Sequence, residues 1–319
     1  MAEKIHGRLE NLWSPDFLRN DLICSWRANQ THQWCSPHEA SEYFKQSKKS
    51  KEVTYGPDDF NYKFNSLGYR SDDFVNDDSF KILYSGCSFT EGVGLPVEHT
   101  WAFQLNELIQ RNFGIKMKYH NQAIGGNSSD AIFRLMTLLL EYEKFKPDLV
   151  IILFPPAART EMFASDKSDS AIFQYLPNHE PDHLTFEEKV NYNNYKKASI
   201  FKNQTLSLIR NMVAVYQLCH AHGIPVKMAT WDVFEWMAGP NKPDPILQFR
   251  DLLPTFLQDV FIPEKFLRRD ASINKFPQTV ARDFAHPSPN ANYIFASVMY
   301  KHLYPELESL IYGKTNSNA

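Results

Sequence analysis

The chain contains few cysteines, no long apolar run and no excess of charge of one sign. Its four cysteines show no CxxC spacing and are too few for a disulfide framework in 319 residues, so we expect a reducing compartment. No run of about 18 apolar residues occurs, and the first residues lack an apolar signal core. We therefore expect neither a membrane span nor a signal peptide, and a cytoplasmic or virion-associated protein.

The charge pattern and the scattered histidines exclude several classes of partner. The 34 Lys and Arg residues are interspersed with 37 Asp and Glu residues, so no basic stripe favours nucleic acid or an acidic membrane. The short basic cluster at 45–51 has the composition of a solvated loop. No ligand-spaced carboxylate or cysteine partner accompanies four of the histidines, so we expect no metal site and no cofactor: His179, His183, His220 and His222.

The pattern along the chain predicts an α/β domain with an N-terminal extension. With 43% apolar and 14% aromatic residues, the chain can bury a large core. Residues 1–78 are rich in aromatic residues but lack a regular period, which indicates an extension packed on the main domain. From residue 79 to 305, short apolar runs alternate with amphipathic segments, as in a parallel sheet, with an insertion at about 155–198. Residues 306–319 are expected to form a tail.

Individual elements can be placed from turn and capping signals. Strands are predicted at 62–64, 82–85, 117–121, 149–154 and 226–230. Helices are predicted after Thr100, after Ser128 or Ser129, at about 199–222, and at about 290–304 with Pro289 near the first turn. The insertion is expected to contain at most one short helix.

Three residues at opposite ends of the main domain have the chemistry of nucleophilic catalysis. The segment 86–92 reads Gly-Cys-Ser-Phe-Thr-Glu-Gly and places Ser88 at the end of a predicted strand, with Cys87 as a packed side chain. A serine needs a base to accept its proton, an acid to orient that base, and donors for the oxyanion. Asp283 and His286 are spaced so that, in a single turn, the carboxylate can reach Nδ1 and leave Nε2 for Ser88. Pro287 disfavours a helix at His286.

The sequence resembles the SGNH (GDSL-type) hydrolases, a family of esterases, lipases, carbohydrate deacetylases and some acyltransferases. Segment 86–92 matches the first block, with Cys87 in place of the usual aspartate. Segment 121–127, Asn-Gln-Ala-Ile-Gly-Gly-Asn, matches the second, and the Asp-x-x-His of Asp283 and His286 matches the last. The resemblance implies a three-layer αβα sandwich with a mostly parallel, flavodoxin-like sheet. It also implies that Ser88 is the nucleophile and that the N–H groups of Ser88 and Gly126 form the oxyanion hole. If the loop is shifted by one residue, the N–H group of Gly125 takes the place of that of Gly126.

The third family block is missing. Its asparagine normally supplies a third oxyanion donor, but here the strand at 149–154 runs into Pro-Pro-Ala-Ala-Arg. Asn127 and Arg159 are the nearest side chains that could substitute, although Asn127 could equally cap a helix and Arg159 could be an ordinary surface arginine. Trp231 and Trp236 follow a strand where open α/β sheets bind ligands, and could stack on a sugar ring or pack in the core.

The resemblance implies a serine esterase that removes an acyl group, with acetyl favoured, from an alcohol such as a carbohydrate hydroxyl. The missing third block keeps two alternatives open: a non-catalytic glycan- or protein-binding member of the same fold, and an O-acyltransferase. The expected partner is a small-molecule or glycan ester, and the oligomeric state is left open. The substrate class rests on family analogy alone.

Overall fold

The computed structural model describes residues 27–47, 55–163, 172–175, 186–198, 200–231, 244–264, 281–283 and 286–317. The N-terminal region contains two short strands that pair antiparallel, β1 (Thr31–His32) and β2 (Tyr62–Lys63), and between them helix α1 (Pro37–Ser47). The strand predicted at 62–64 is therefore present, and it is one residue shorter than expected. Cys24 lies outside the described residues.

The main domain alternates strands and helices, as the sequence predicts. Its strands are β3 (Phe80–Gly86), β4 (Met117–Asn121), β5 (Leu149–Phe154), β6 (Thr160–Phe163), β7 (Ile172–Tyr175) and β8 (Val226–Thr230). Its helices are α2 (Ser88–Glu91), α3 (Trp101–Phe113), α4 (Ser129–Thr137), α5 (Phe186–Ala198), α6 (Phe201–Ala221), α7 (Pro245–Leu252), α8 (Thr255–Gln258) and α9 (Pro289–Ser317). A π-helical turn, Leu138–Tyr142, extends α4, and a 3₁₀ turn, Val97–His99, precedes α3.

Four parallel strands form the central sheet in the order β4–β3–β5–β8. The first strand of this sheet in chain order, β3, lies between the second, β4, and the third, β5, which is the flavodoxin-like order. The predicted α/β class with a parallel, flavodoxin-like sheet is confirmed. In such sheets, ligands bind beyond the carboxyl ends of the strands where the order reverses, here between β3 and β5.

Helices cover both faces of this sheet and complete the three layers. On one face, Leu83 and Val150 pack in a core that includes residues of α4 and α6. On the other face, Ile82 and Ile151 pack in a core that includes residues of α3 and α9. Because both faces are covered, the strands are buried along nearly their whole length, and β5 is an unbroken apolar run.

Side-chain caps fix where two of the covering helices begin. Thr100 accepts a hydrogen bond from the Phe103 N–H and starts α3, and Ser128 accepts one from the Ala131 N–H and starts α4. Helix α9 begins at Pro289, as predicted, but continues past Pro305 to Ser317 instead of ending near residue 304. Two buried apolar residues beyond the proline, Leu307 and Ile311, belong to the core on that face and hold the extra turns against the domain.

The insertion contains more regular structure than its composition indicates. Strands β6 and β7 pair antiparallel, and α5 spans 13 residues, whereas the sequence predicts at most one short helix. None of the helices in the described ranges combines the length and apolar character needed to span a lipid bilayer.

Candidate active site

Ser88 lies where the sequence predicts it, immediately beyond the carboxyl end of β3. It is the first residue of α2, preceded by Cys87 in an extended conformation. A side chain at Gly86 could not be accommodated, because its Cβ would lie 2.3 Å from Thr90 Oγ1 and 2.8 Å from the Leu153 carbonyl oxygen. The glycine therefore allows the chain to turn tightly from the strand into the helix, which places Ser88 at the carboxyl end of the strands.

Asp283 and His286 form a hydrogen-bonded pair through a single turn. Asp283 Oδ2 bonds to Nδ1 of the imidazole, and Asp283 Oδ1 accepts the backbone N–H of His286 at 3.1 Å. The aspartate side chain is 2% exposed and that of the histidine is 19% exposed. With Nδ1 engaged by the carboxylate, Nε2 is the ring nitrogen left to act on a substrate or a serine.

The loop that carries this pair packs on the residues directly after Ser88. The Arg282 N–H donates to the Gly94 carbonyl at 2.9 Å, and Gly94 adopts a φ of 81°. A Cβ at Gly94 would lie 2.7 Å from Ala281 Cβ and 3.2 Å from Asp283 Oδ1, so the loops could not approach this closely with a larger residue. The His286 ring lies edge-on to Phe89, with centroids 5.5 Å apart. Residues 284 and 285 lie outside the described residues.

A buried glutamate, which sequence reasoning missed, anchors the second-block loop. Glu91 Oε2 accepts the Gly125 N–H at 2.5 Å, and Glu91 Oε1 accepts a bond from Arg27 Nη1 at 2.6 Å. A Cβ built at Gly125 would lie 3.8 Å from Ser88 Cβ, so this loop faces the serine. The Gly125 N–H is thus committed to Glu91. In the part of the chain that the structure describes, no acceptor engages the Gly126 N–H.

Asn127 fastens the same loop to the end of β3. Its Nδ2 donates to the Gly86 carbonyl at 3.3 Å, and the residue is 1% exposed. The helix cap that the sequence allowed for Asn127 is supplied by the next residue, Ser128. A role for Asn127 as an oxyanion donor stays a prediction.

Two further arginines link the N-terminal region to the loops that carry Ser88 and Asp283. Arg70 donates to the carbonyls that follow α2, at 2.8 Å for Gly92 and 2.7 Å for Leu95. Arg282, directly before Asp283, forms a fully buried ion pair with Glu39 at 2.9 Å. We call Arg27, Arg70 and Arg282 the arginine clamp. The sequence offered no signal for it beyond arginines in or near an aromatic-rich segment, because their partners are distant in the chain.

Tyr62 joins two parts of this arrangement. Its hydroxyl donates to Glu39 at 2.8 Å and accepts the Gly94 N–H at 2.8 Å. The guanidinium of Arg282 lies over the rings of Phe60 and Trp34, 3.9 and 4.2 Å from their centroids. The aromatic residues of the N-terminal region therefore surround the charged groups that hold the Asp283 loop.

Trp231 lies beside the serine, between two other side chains. Its ring stacks on Phe89, with centroids 4.3 Å apart and planes inclined by 12°. The guanidinium of Arg159 lies over the same indole, 5.4 Å from its centroid, and Trp231 Nε1 donates to Cys87 Sγ at 3.2 Å. Phe89 and Arg159 thus both contact the indole, which places Arg159 near the residues that flank Ser88. A role for Trp231 in stacking on a sugar ring stays a prediction.

Other sequence-derived candidates have less support. Trp236, His179 and His183 lie outside the described residues. Cys87 is fully buried, as its expected packing role requires. In the described ranges, no group of three or more His, Cys, Asp or Glu side chains is arranged to hold a metal ion.

No family model and no curated protein matches the chain. Solved structures with a similar fold include one titled "Crystal Structure of TesA", 17% identical with a TM-score of 0.45 over 70% of this chain and 98% of that chain. The psychrotrophic esterase EstA from Pseudoalteromonas sp. is 16% identical with a TM-score of 0.44, over 72% and 99%. AlinE4, titled an SGNH-hydrolase family esterase, is 14% identical with a TM-score of 0.41, over 73% and 99%.

Proposed function

We propose that the protein is a serine esterase of SGNH type that removes an acyl group, with acetyl favoured, from an alcohol such as a carbohydrate hydroxyl. One observation carries the proposal: the Asp283–His286 pair is held against the loop that follows Ser88, by the Arg282–Gly94 hydrogen bond and the contact of His286 with Phe89. A carboxylate and an imidazole from one loop are thus held near the segment of a serine that is almost 200 residues earlier in the chain, at the carboxyl edge of the sheet.

The proposed reaction proceeds in two steps. Ser88 Oγ attacks the ester carbonyl while His286 Nε2 accepts the serine proton, and Asp283 stabilises the resulting imidazolium through Nδ1. The tetrahedral intermediate collapses to an acyl-enzyme as His286 returns the proton to the departing alcohol. Water then attacks the acyl carbon with the same base, which releases the carboxylic acid and regenerates Ser88.

Two backbone N–H groups are proposed to stabilise the oxyanion. The Ser88 N–H is at the start of α2, where a helix leaves its first donors without intrahelical partners. The Gly126 N–H is the second donor, because that of Gly125 is bound to Glu91. Loss of one such donor costs on the order of 10²–10³ in rate in other hydrolases, so a site with two donors is expected to be slower than one with three.

The experiment combines turnover with active-site labelling. The purified protein is given 4-nitrophenyl acetate and a fluorophosphonate probe, alongside Ser88→Ala and, as a matched control, Ser41→Ala at an exposed position of α1. We expect hydrolysis and labelling in the wild type and in Ser41→Ala. Ser88→Ala should lose the label and on the order of 10⁴-fold or more of the rate. A wild type that neither turns over nor takes the label would refute the proposal and favour the non-catalytic, binding alternative.

Acetylated sugars test the leaving alcohol, and a competing acceptor tests the fate of the acyl group. Release of acetate from an acetylated oligosaccharide, lost in Ser88→Ala, would support a carbohydrate substrate. A new ester formed when an acyl donor and a free sugar are both present would indicate an O-acyltransferase instead. Acetate release without a new ester would indicate a hydrolase.

A further inference from the structure

We propose that Arg159 is an anion-binding subsite beside Ser88, so that the ester substrate carries a carboxylate. This inference rests on the proposed esterase function. Arg159 directly precedes β6, a few residues beyond the carboxyl end of β5 and at the crevice where the sheet order reverses. Within the part of the chain that the structure describes, its guanidinium forms no hydrogen bond or ion pair, and its Nη1 is buried without a partner.

The buried donor of Arg159 has an energetic cost. A buried polar donor without a partner costs about 1–3 kcal/mol, and more when it is charged. The three arginines of the clamp each bind at least one carboxylate or carbonyl oxygen. The Nη1 of Arg159 has no such oxygen in the described part of the chain, and an anion supplied by the substrate would satisfy it.

The neighbouring carboxylates are already engaged. Glu161 accepts from both Nε and Nη2 of Arg134, at 3.1 and 2.8 Å. Asp130 accepts from the Thr160 hydroxyl at 2.6 Å and from the Glu161 N–H at 3.0 Å. Both carboxylates thus bond to other groups, and neither pairs with Arg159.

The position of Arg159 is fixed relative to the nucleophile by Trp231. The indole is held by Phe89 on one face and by Cys87 at its N–H, and these two residues flank Ser88 in the chain. The guanidinium lies over the same indole, 5.4 Å from its centroid, so Trp231 connects it to the residues that flank the serine. Because Arg159 is only half-buried, a solute can reach it from solvent.

This geometry favours a small substrate with its charge a few bonds from the ester. A guanidinium presents paired N–H donors that match the two oxygens of a carboxylate, and its partial desolvation strengthens the interaction. The carboxylate could belong to the acyl group, as in a dicarboxylic acid monoester, or to the alcohol, as in an acetylated sugar acid. Both have the same chemistry at Arg159, and matched substrates distinguish them.

Two substrate pairs differ only in charge. For the alcohol side, 4-acetoxybenzoate is compared with 4-acetoxybenzamide; for the acyl side, 4-nitrophenyl hemisuccinate is compared with 4-nitrophenyl butyrate. The quantity measured is the ratio of kcat/KM for the anionic over the neutral ester in the wild type, Arg159→Gln and Arg159→Lys. Arg111→Gln, at an exposed position of α3, removes the same charge elsewhere and serves as the control.

Arg159→Gln should lower this ratio by about 10- to 100-fold in at least one pair, since hydrogen bonds to charged groups contribute about 1.5–3 kcal/mol. Arg159→Lys should give an intermediate ratio, because it keeps the charge but loses the planar fork. Arg111→Gln should leave the ratio as in the wild type. A ratio unchanged by Arg159→Gln in both pairs would overturn the proposal, even if both rates fell, because such a loss would indicate an oxyanion or packing role.

A binding measurement keeps this inference separable from the proposed esterase function. In the Ser88→Ala background, 4-acetoxybenzoate and monoethyl succinate are titrated while tryptophan fluorescence is followed. A saturable change that Arg159→Gln abolishes and Arg111→Gln retains supports the subsite, even if the wild type hydrolyses no ester. Absence of saturable binding for both anions overturns the subsite whether or not the protein is an esterase.

Discussion

Replacing Arg27 by methionine should destabilise the protein more than replacing Arg27 and Glu91 together. The two side chains meet at 2.6 Å and are 2% and 0% exposed. Arg27→Met leaves a buried carboxylate with the Gly125 N–H as its remaining donor among the contacts described above. Removing one partner of a buried ion pair typically costs about 3–5 kcal/mol in the free energy of unfolding. Glu91→Gln, which leaves the guanidinium uncompensated, should cost a similar amount.

The double variant avoids both uncompensated charges. In Arg27→Met/Glu91→Gln, the amide oxygen of the glutamine can still accept the Gly125 N–H, and the remaining penalty is that of unpaired amide donors, about 1–3 kcal/mol. The contact of the Arg27 guanidinium with the Phe64 ring, 4.5 Å from its centroid, is lost in the single arginine variant and in the double variant alike. We therefore expect the double variant to be more stable than either single variant by about 2 kcal/mol.

Urea unfolding followed by near-UV circular dichroism gives the free energies of the four proteins. If the two effects were additive, the double variant would lose the sum of the two single losses in the free energy of unfolding. Because the two residues are coupled, we expect its loss to be much smaller than that sum. A double variant that is destabilised by the full sum would refute the claim that Glu91 is held as a charged, arginine-compensated anchor for the second-block loop.

Three other perturbations test separate parts of the structure. Burial lowers the pKa of His120 to about 4, against about 6.5 in an unfolded chain, so the unfolded chain binds the proton more readily. Stability present above about pH 6.5 should be lost as the pH falls towards 4, by at most about 3 kcal/mol, and urea melts of His120→Leu should show a flatter pH dependence. Gly94→Ala should lower the free energy of unfolding by about 1–3 kcal/mol and slow ester hydrolysis, because the new Cβ would meet Ala281. Gly114→Ala is the control, because Gly114 has a similar φ but open space around it. Equal losses in both variants would contradict a role for the contact with Ala281. Ser128→Ala should cost about 1 kcal/mol by removing the cap of α4, and an unchanged melting temperature would show that the bond to the Ala131 N–H is dispensable.

Local signals in the sequence were sufficient for most of the fold. The strands at 117–121, 149–154 and 226–230 have the predicted bounds, and the strand at 149–154 is an unbroken apolar run. Thr100 and Ser128 cap the helices that they were expected to start. The extent of α9 was underestimated, because a proline normally marks a boundary, and only the packing of Leu307 and Ile311 against the core overrides it.

The contact between the two candidate residues Asp283 and His286 was predictable because their spacing is local, whereas the residues that hold them in place were not. Asp283 and His286 lie three positions apart, so their contact follows from a single turn. Glu91 reads in sequence as an ordinary charged helix residue, and nothing near it indicates that its partners are Arg27 and Gly125. Trp231 could be placed near the site from its strand, but its contacts with Phe89 and Arg159 depend on long-range packing that no periodicity encodes.

The ion pair between Glu39 and Arg282 has a consequence for the order of folding. Its partners are 243 positions apart in the chain, against 64 for Arg27 and Glu91. Closing the longer loop costs only about 1 kcal/mol more in chain entropy, so its length does not prevent the contact. The contact nevertheless cannot form until the two distant segments of the chain have met. The sheet and most of its covering helices can assemble from contacts between neighbouring segments. The loop of Asp283 and His286 would then be the last part to pack, and a refolding chain would regain its secondary structure before the Asp283–His286 pair is in position.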